Sequence, residues 1–241
     1  MTLRVCSLYP ELMNIYADRG NMQLLRARCE WRGIGFELQG ATIGDAVDPD
    51  AHDLFYMGGG QDRDQALCAR DMFATKKDAL HAAAERGAVV LAVCGGYQLL
   101  GHEYEMEGER LPGVALVDLR TVREPGPRLI GNCAIEADLG LPGSPRVIAG
   151  FENHGGRTYL GADEHPLGRV LEGFGNNGRD GFEGVRRGNV IGTYLHGPLL
   201  PKNAWLADRL IELALGIELE PLPGDELEDA AHASARRAAG V

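Results

Sequence analysis

The chain has no apolar run near the ~20 residues a membrane span requires. Its start, MTLRVCSLYPELMN, also lacks the apolar core of a secretion signal. The five cysteines (Cys6, Cys29, Cys68, Cys94 and Cys133) are odd in number and contain no CxxC pair. That argues against a disulfide framework and a zinc ribbon, and it suits a reducing cytoplasm. Lysine occurs only at Lys76, Lys77 and Lys202, and the formal net charge is -11. A chain with no basic arm has little to attract the phosphates of nucleic acid. No GxxxxGK[ST] loop is present and no GxGxxG turn follows the first strand, so two common nucleotide cradles are missing. Internal repeats are absent too, and the 34 glycines are spread over turns rather than gathered in a linker.

What remains is an ordinary globular composition: 241 residues, 44% hydrophobic and 24% charged. The first hundred residues alternate apolar strands with amphipathic helices. LRVCSLY (3–9), GFELQG (35–40), DLFYMGGG (53–60) and AVVLAVC (88–94) read as strands. NMQLLRARCEWRG (21–33) reads as a helix capped by Asn21, with Met22, Leu25, Cys29 and Trp31 near one face. Strands that are apolar throughout and separated by helices predict a parallel sheet covered on both faces. Beyond Gly101, glycine-punctuated strands predict added antiparallel hairpins, and residues 203–216 form a closing helix. The expected fold is α/β, a mostly parallel central sheet flanked by helices, in one domain over 1–216. Residues 217–241 have little to bury and are expected as a tail, mobile or helical only on a partner.

Three places could carry chemistry. In GAVVLAVCGGYQLLG, Cys94 ends a buried strand and is followed by Gly95 and Gly96. A free cysteine is usually a small buried hydrophobe. A strand, a nucleophile and a helix joined by a sharp glycine turn would instead expose the thiol at the sheet edge and aim backbone N–H groups at a developing oxyanion. His196, in VIGTYLHGP, ends another apolar run and could pair with Cys94 as base. MGGGQD (57–62) follows the third strand and opens at the carboxyl edge, where such sheets place their sites. The other four cysteines lie inside strand or helix patterns and read as inert.

AVCGGYQLLG with a downstream YLHGP resembles the class I, triad-type glutamine amidotransferases, whose flavodoxin-like fold carries a G-x-C-x-G-x-Q elbow. Cys94, Gly96 and Gln98 match, and Ala92 stands for the first glycine. Most members carry a glutamate two residues after the histidine; here that position is Pro198, as in the cobyric acid synthase-like branch. Within that branch LYPELMNIYADRGNMQLL, GGGQDRDQ, FENHGGRTYLG and GNNGRDGFEGV resemble the glutaminase subunits of lipid II isoglutaminyl synthases. The length fits such a subunit, with no room for an ATP-binding domain. The resemblance implies that Cys94 attacks the side-chain amide of L-glutamine to form a thioester, with His196 managing protons. Gly59, Gly60 and Gly95 would form the oxyanion hole, Gln98 would bind the substrate, and Arg128 would grip its α-carboxylate. GNNG (175–178) would offer backbone contacts or a simple turn. Glu152 is the in-chain candidate for orienting His196, the alternative being an acid from the partner. It implies no cofactor in this chain, with ATP and Mg on a Mur ligase-like partner that amidates the D-glutamate of the peptidoglycan stem peptide. A stand-alone cysteine γ-glutamyl hydrolase and a non-catalytic scaffold are the alternatives.

Overall fold

The computed structural model describes residues 1–15, 19–106, 108–141 and 143–241. Residues 16–18 of the LYPELMNIYADRGNMQLL segment lie outside the described residues. The first half builds β1 (Thr2–Leu8), α1 (Arg19–Glu30), β2 (Gly35–Ala41), β3 (Leu54–Met57), α2 (Asp62–Asp71), α3 (Lys77–Glu85), β4 (Val89–Val93) and the single turn α4 (Gly95–Leu99). A π-turn, Met72–Lys76, joins α2 to α3. β3 and β4 are buried at every position, which is what strands without polar alternation require.

The second half is glycine-punctuated β structure: β5 (Glu103–Met106), β6 (Glu109–Pro112), β7 (Leu119–Arg123), β8 (Leu129–Ala137), β9 (Arg146–His154), β10 (Gly156–Leu160), β11 (Gly168–Glu172) and β12 (Phe182–Glu183). β13 (Val185–Arg187) and β14 (Val190–Thr193) then return to the first sheet, and α5 (Ala204–Leu215) and α6 (Glu226–Ala238) follow. The central sheet has the order β13-β14-β4-β3-β1-β2. Its last five strands are parallel, and β13 pairs antiparallel with β14. Two four-stranded sheets, β10-β7-β5-β6 and β12-β11-β8-β9, form the added layer. The mostly parallel sheet with antiparallel additions is the architecture expected from the sequence.

Two local readings change. α1 begins at Arg19, so Asn21 is no cap. It is wholly buried, its Nδ2 donating to Tyr56 Oη at 2.9 Å and its Oδ1 accepting Leu200 N–H at 2.8 Å. Trp31 lies past the helix end, 56% exposed, with the Arg28 guanidinium over its ring. An aromatic at helical spacing fell outside the helix because Gly33 stops it a turn early.

Residues 217–241, expected as a tail, contain α6. None of its residues is buried, and polar contacts hold it: Asp225 Oδ1 with Arg28 Nη1 at 2.5 Å, Lys202 O with His232 Nδ1 at 2.9 Å, and Ala238 O accepting from Asn132 Nδ2 at 2.7 Å. Arg28 is 1% exposed and also pairs with Asp208. Breaking a buried pair leaves a partner charge unmatched, so Arg28→Ala is expected to cost about 3 kcal/mol or more. Urea unfolding reads that loss, and faster amide exchange in α6 should accompany it.

Candidate active site

Cys94 leaves β4 with φ 53 and ψ −107, one of three described non-glycine residues at positive φ. Such a conformation costs on the order of 1–3 kcal/mol and persists only where the surroundings enforce it. Here they do. Cys94 N–H donates to Thr193 O at 2.8 Å, locking the end of β4 to the end of β14, and Gln98 N–H bonds back to Cys94 O at 3.2 Å. The side chain is 7% exposed. The other thiols are buried more deeply, and burial pushes Cys6 and Cys68 up to about 12 and Cys29 to about 11. They behave as core atoms, as their place in the pattern suggested.

The glycine turn after β3 lies directly over this elbow. Gly96 N–H donates to Gly58 O at 3.1 Å. A side chain on Gly96 would sit 2.7 Å from Met57 O, and one on Gly59 would sit 3.3 Å from Cys94 Cβ. The Gly60 amide nitrogen lies 3.2 Å from where a Gly95 side chain would begin. Gly59, Gly60 and Gly95 are thus together at the mouth of the elbow, where a side chain on any of them would press on its neighbours. On its other side the turn is propped by the loop after β1, whose Ile15 N–H donates to Gly59 O at 3.1 Å.

His196 reaches the same edge from β14. Its backbone pairs with Phe151 of β9 through two 3.0 Å bonds, and its ring meets Phe151 edge-on. The side chain is wholly buried. Desolvation, then the nearby His154, Lys202 and Arg128, push the imidazole down to about 4. It is therefore neutral at pH 7 and can accept a thiol proton. Because the folded pKa lies below the unfolded value near 6.5, the stability it confers is complete above that value and is lost as pH falls. Acidification from pH 6.5 to 4 is expected to remove up to about 3 kcal/mol through this group. Denaturant unfolding across that window measures it, and His196→Asn should flatten the slope.

A model of the CobB/CobQ-like glutamine amidotransferase domain matches residues 4–204. The chain belongs to that family. It is 40% identical over 214 residues to the lipid II isoglutaminyl synthase (glutamine-hydrolyzing) subunit GatD of Streptococcus pneumoniae, covering 88% of this chain and 80% of that one. Against the Staphylococcus aureus subunit of the same name it is 40% identical over 223 residues, covering 91% and 88%. Among solved structures, PurLQS from Thermotoga maritima superposes with a TM-score of 0.61 at 22% identity, covering 90% of this chain and 99% of that one. That likeness speaks for the class I amidotransferase fold alone.

In this glutamine amidotransferase the remaining candidates are placed unequally. Gln98 is 4% exposed and engaged at both ends: its Oε1 accepts from Gln65 Nε2 at 2.7 Å and its Nε2 donates to Tyr194 Oη at 3.2 Å. Arg128 is exposed at the rim, with Nε and Nη2 donating to Asn153 Oδ1 and O at 2.8 and 2.7 Å. Glu152 is wholly buried, and its carboxylate accepts Phe174 N–H at 2.6 Å and Gly175 N–H at 3.0 Å. The histidine facing that carboxylate is His154, with Nε2 3.6 Å from Oε2. GNNG acts as a staple: Asn176 accepts from Tyr97 Oη at 3.0 Å and from Gly184 N–H at 2.8 Å, so the turn reading holds for its side chains.

Several site-building residues had no sequence signal of their own. Gln65, one helical turn into α2, anchors Gln98 and also donates to Gly95 O at 3.2 Å. His154 stacks flat on Tyr194, 3.5 Å between centroids, and Tyr194 Oη continues to Thr158 Oγ1 at 2.6 Å. Both lie inside quoted stretches, GGGQDRDQ and FENHGG, but only the pairing of distant strands shows what they touch.

Proposed function

We propose that this chain is the glutaminase subunit of a lipid II-amidating synthetase. It hydrolyses L-glutamine through a Cys94 thioester and passes the ammonia to a Mur ligase-like partner that amidates the D-glutamate of the stem peptide. The observation that carries the chemistry is the positive-φ Cys94, tied to the strand that delivers His196 and overlain by the 58–60 glycine turn. The acceptor and the partner rest on the GatD relatives, matched along most of both chains.

In this reading His196 takes the thiol proton as Cys94 Sγ bonds to the amide carbon of glutamine, and the carbonyl oxygen gains the electron pair. Gly95 N–H and an N–H of Gly60 or Gly59 receive that oxyanion. The carbon–nitrogen bond breaks, His196 returns its proton to the nitrogen, and ammonia leaves a glutamyl thioester. Water, deprotonated by His196, then releases glutamate and restores the thiol. Arg128 grips the α-carboxylate, since a guanidinium at the rim suits a carboxylate. Gln98 bonds the substrate by exchanging one of its present partners. ATP and Mg belong to the ligase partner and not to this chain. Glu152 serves the Gly173–Gly175 turn, and the acid that orients the His196 ring comes from the partner.

The test is copurification with the ligase, followed by amidation of a D-glutamyl peptidoglycan precursor with glutamine as nitrogen donor. Amidation that needs both chains and ATP is the expected result. Glutamine or γ-glutamyl hydrolysis at full rate by the isolated chain, abolished by Glu152→Gln and never coupled to an acceptor, would establish the stand-alone hydrolase instead.

A further inference from the structure

Class I elbows need their histidine fixed, yet position 198, where most of the class carries an acid, is a proline. A different carboxyl group sits under this strand end. Glu183, in β12, is wholly buried. Its Oε1 accepts Tyr194 N–H at 2.6 Å and its Oε2 accepts from Thr193 Oγ1 at 2.9 Å. Thr193 Oγ1 in turn accepts Leu195 N–H at 3.0 Å. The three residues before His196 are therefore held through one side chain that comes from outside β14. Thr193 is also the residue whose carbonyl takes the Cys94 N–H, and Tyr194 is the residue whose hydroxyl takes the Gln98 amide.

We propose that Glu183 is a positioning residue for the glutaminase reaction, setting His196 relative to Cys94 through the backbone of residues 193–195 rather than through the imidazole. The inference rests on the glutaminase reading above and adds to it the device that fixes the histidine within this chain. The partner's acid then has only the ring to orient.

The groups facing Glu183 are the Glu152 carboxylate from β9, the Cys133 thiol from β8, Tyr97 from α4, and Thr193 and Tyr194 themselves. Desolvation, together with the Glu152 charge, raises Glu183 to about 8. A neutral acid at pH 7 can reverse its bond to Thr193 without losing the Tyr194 contact. Ionisation places a second buried negative charge near Glu152. Because the folded pKa lies above the unfolded one, the stability from this group is complete below about 4.5 and is lost as pH rises through about 8.

The experiment compares wild type, Glu183→Gln and Glu183→Ala as full-length chains with the ligase partner present. Ammonia release from L-glutamine is followed from pH 6 to 9.5, with denaturant unfolding over the same range. Alanine should lower kcat about tenfold or more while KM for glutamine moves less than about threefold. Glutamine, a permanent mimic of the neutral acid, should restore most of that loss. It should also abolish the fall in kcat as pH passes about 8 and the loss of stability that wild type shows between pH 6 and about 8. Superimposable pH profiles for wild type and Glu183→Gln, or an alanine effect confined to KM, would overturn the proposal. Labelling of Cys94 by a diazo-ketone analogue of glutamine keeps the two failures apart. Label with unaltered pH profiles sinks only the Glu183 role, whereas no label on wild type sinks the glutaminase reading. If alanine fails to fold, the comparison of wild type with Glu183→Gln still decides.

Discussion

Replacement of Cys94 by serine is expected to lower glutamine hydrolysis by roughly 10⁴-fold or more, leaving only background turnover. The substitution is nearly isosteric, and the bonds that enforce the elbow, Cys94 N–H to Thr193 O and Gln98 N–H to Cys94 O, are main-chain bonds that survive it. The loss would therefore be chemical. A serine hydroxyl is a far weaker nucleophile at neutral pH than a thiol, and the base offered to it is an imidazole that burial holds at about 4. The same variant tests the assignment among the five cysteines. Cys6, Cys29 and Cys68 are buried and hold their protons more tightly than an exposed thiol. A thiol-alkylating reagent at pH 8 should therefore modify the native wild-type chain at Cys94 alone, and the serine variant not at all. Mass spectrometry of the native protein reads both outcomes. Alkylation elsewhere at a comparable rate, or a serine variant with more than a hundredth of wild-type turnover, would remove Cys94 from its role.

What could be read in advance divides along a physical line. Local rules were enough for the elbow: an apolar strand, a cysteine and two glycines specify a turn whatever lies around them. They were enough for the parallel sheet as well, because VVLAV has no polar alternation and can only be buried on both faces. They failed where an answer depended on which strands become neighbours. That Cys94 and His196 share one edge follows from β4 pairing with β14 in register, Val93 opposite Thr193, a contact across a hundred residues. Glu152, the in-chain candidate for orienting His196, shows the same dependence on pairing: alternation along β9 turns Phe151 toward His196, and the Glu152 carboxylate accepts the amides of Phe174 and Gly175. Asn21 and Trp31 were misplaced for a smaller reason, since helix ends are decided within a residue or two. The segment after residue 216 has little to bury, and α6 within it is held by ionic and main-chain contacts that hydropathy does not register.

The second large effect concerns a residue with no side chain. Gly96→Ala is expected to reduce kcat by about 10²- to 10³-fold, the size of losing one oxyanion donor. A methyl group there would stand 2.7 Å from Met57 O and 3.0 Å from Gly58 O, and neither main-chain atom can rotate away as a side chain could. The 58–60 turn must back off by several tenths of an ångström, breaking the Gly96 N–H to Gly58 O bond that registers it over the elbow. Oxyanion stabilisation is steep in distance, so a small retreat of the Gly59 and Gly60 amides removes most of their contribution. In the proposed mechanism the substrate's α-carboxylate is gripped by Arg128 and not by the glycine turn, so KM should change far less than kcat. Gly131→Ala is the control: its added methyl would meet only Phe174 Cε2, at 4.0 Å, and φ there is not positive. Turnover of both variants, with circular dichroism to show that each is folded, decides the matter. A folded Gly96→Ala chain with wild-type kcat would mean that the glycine turn does not hold the oxyanion. The donors would then have to be sought at the start of α4, where Gly95 N–H follows the nucleophile directly.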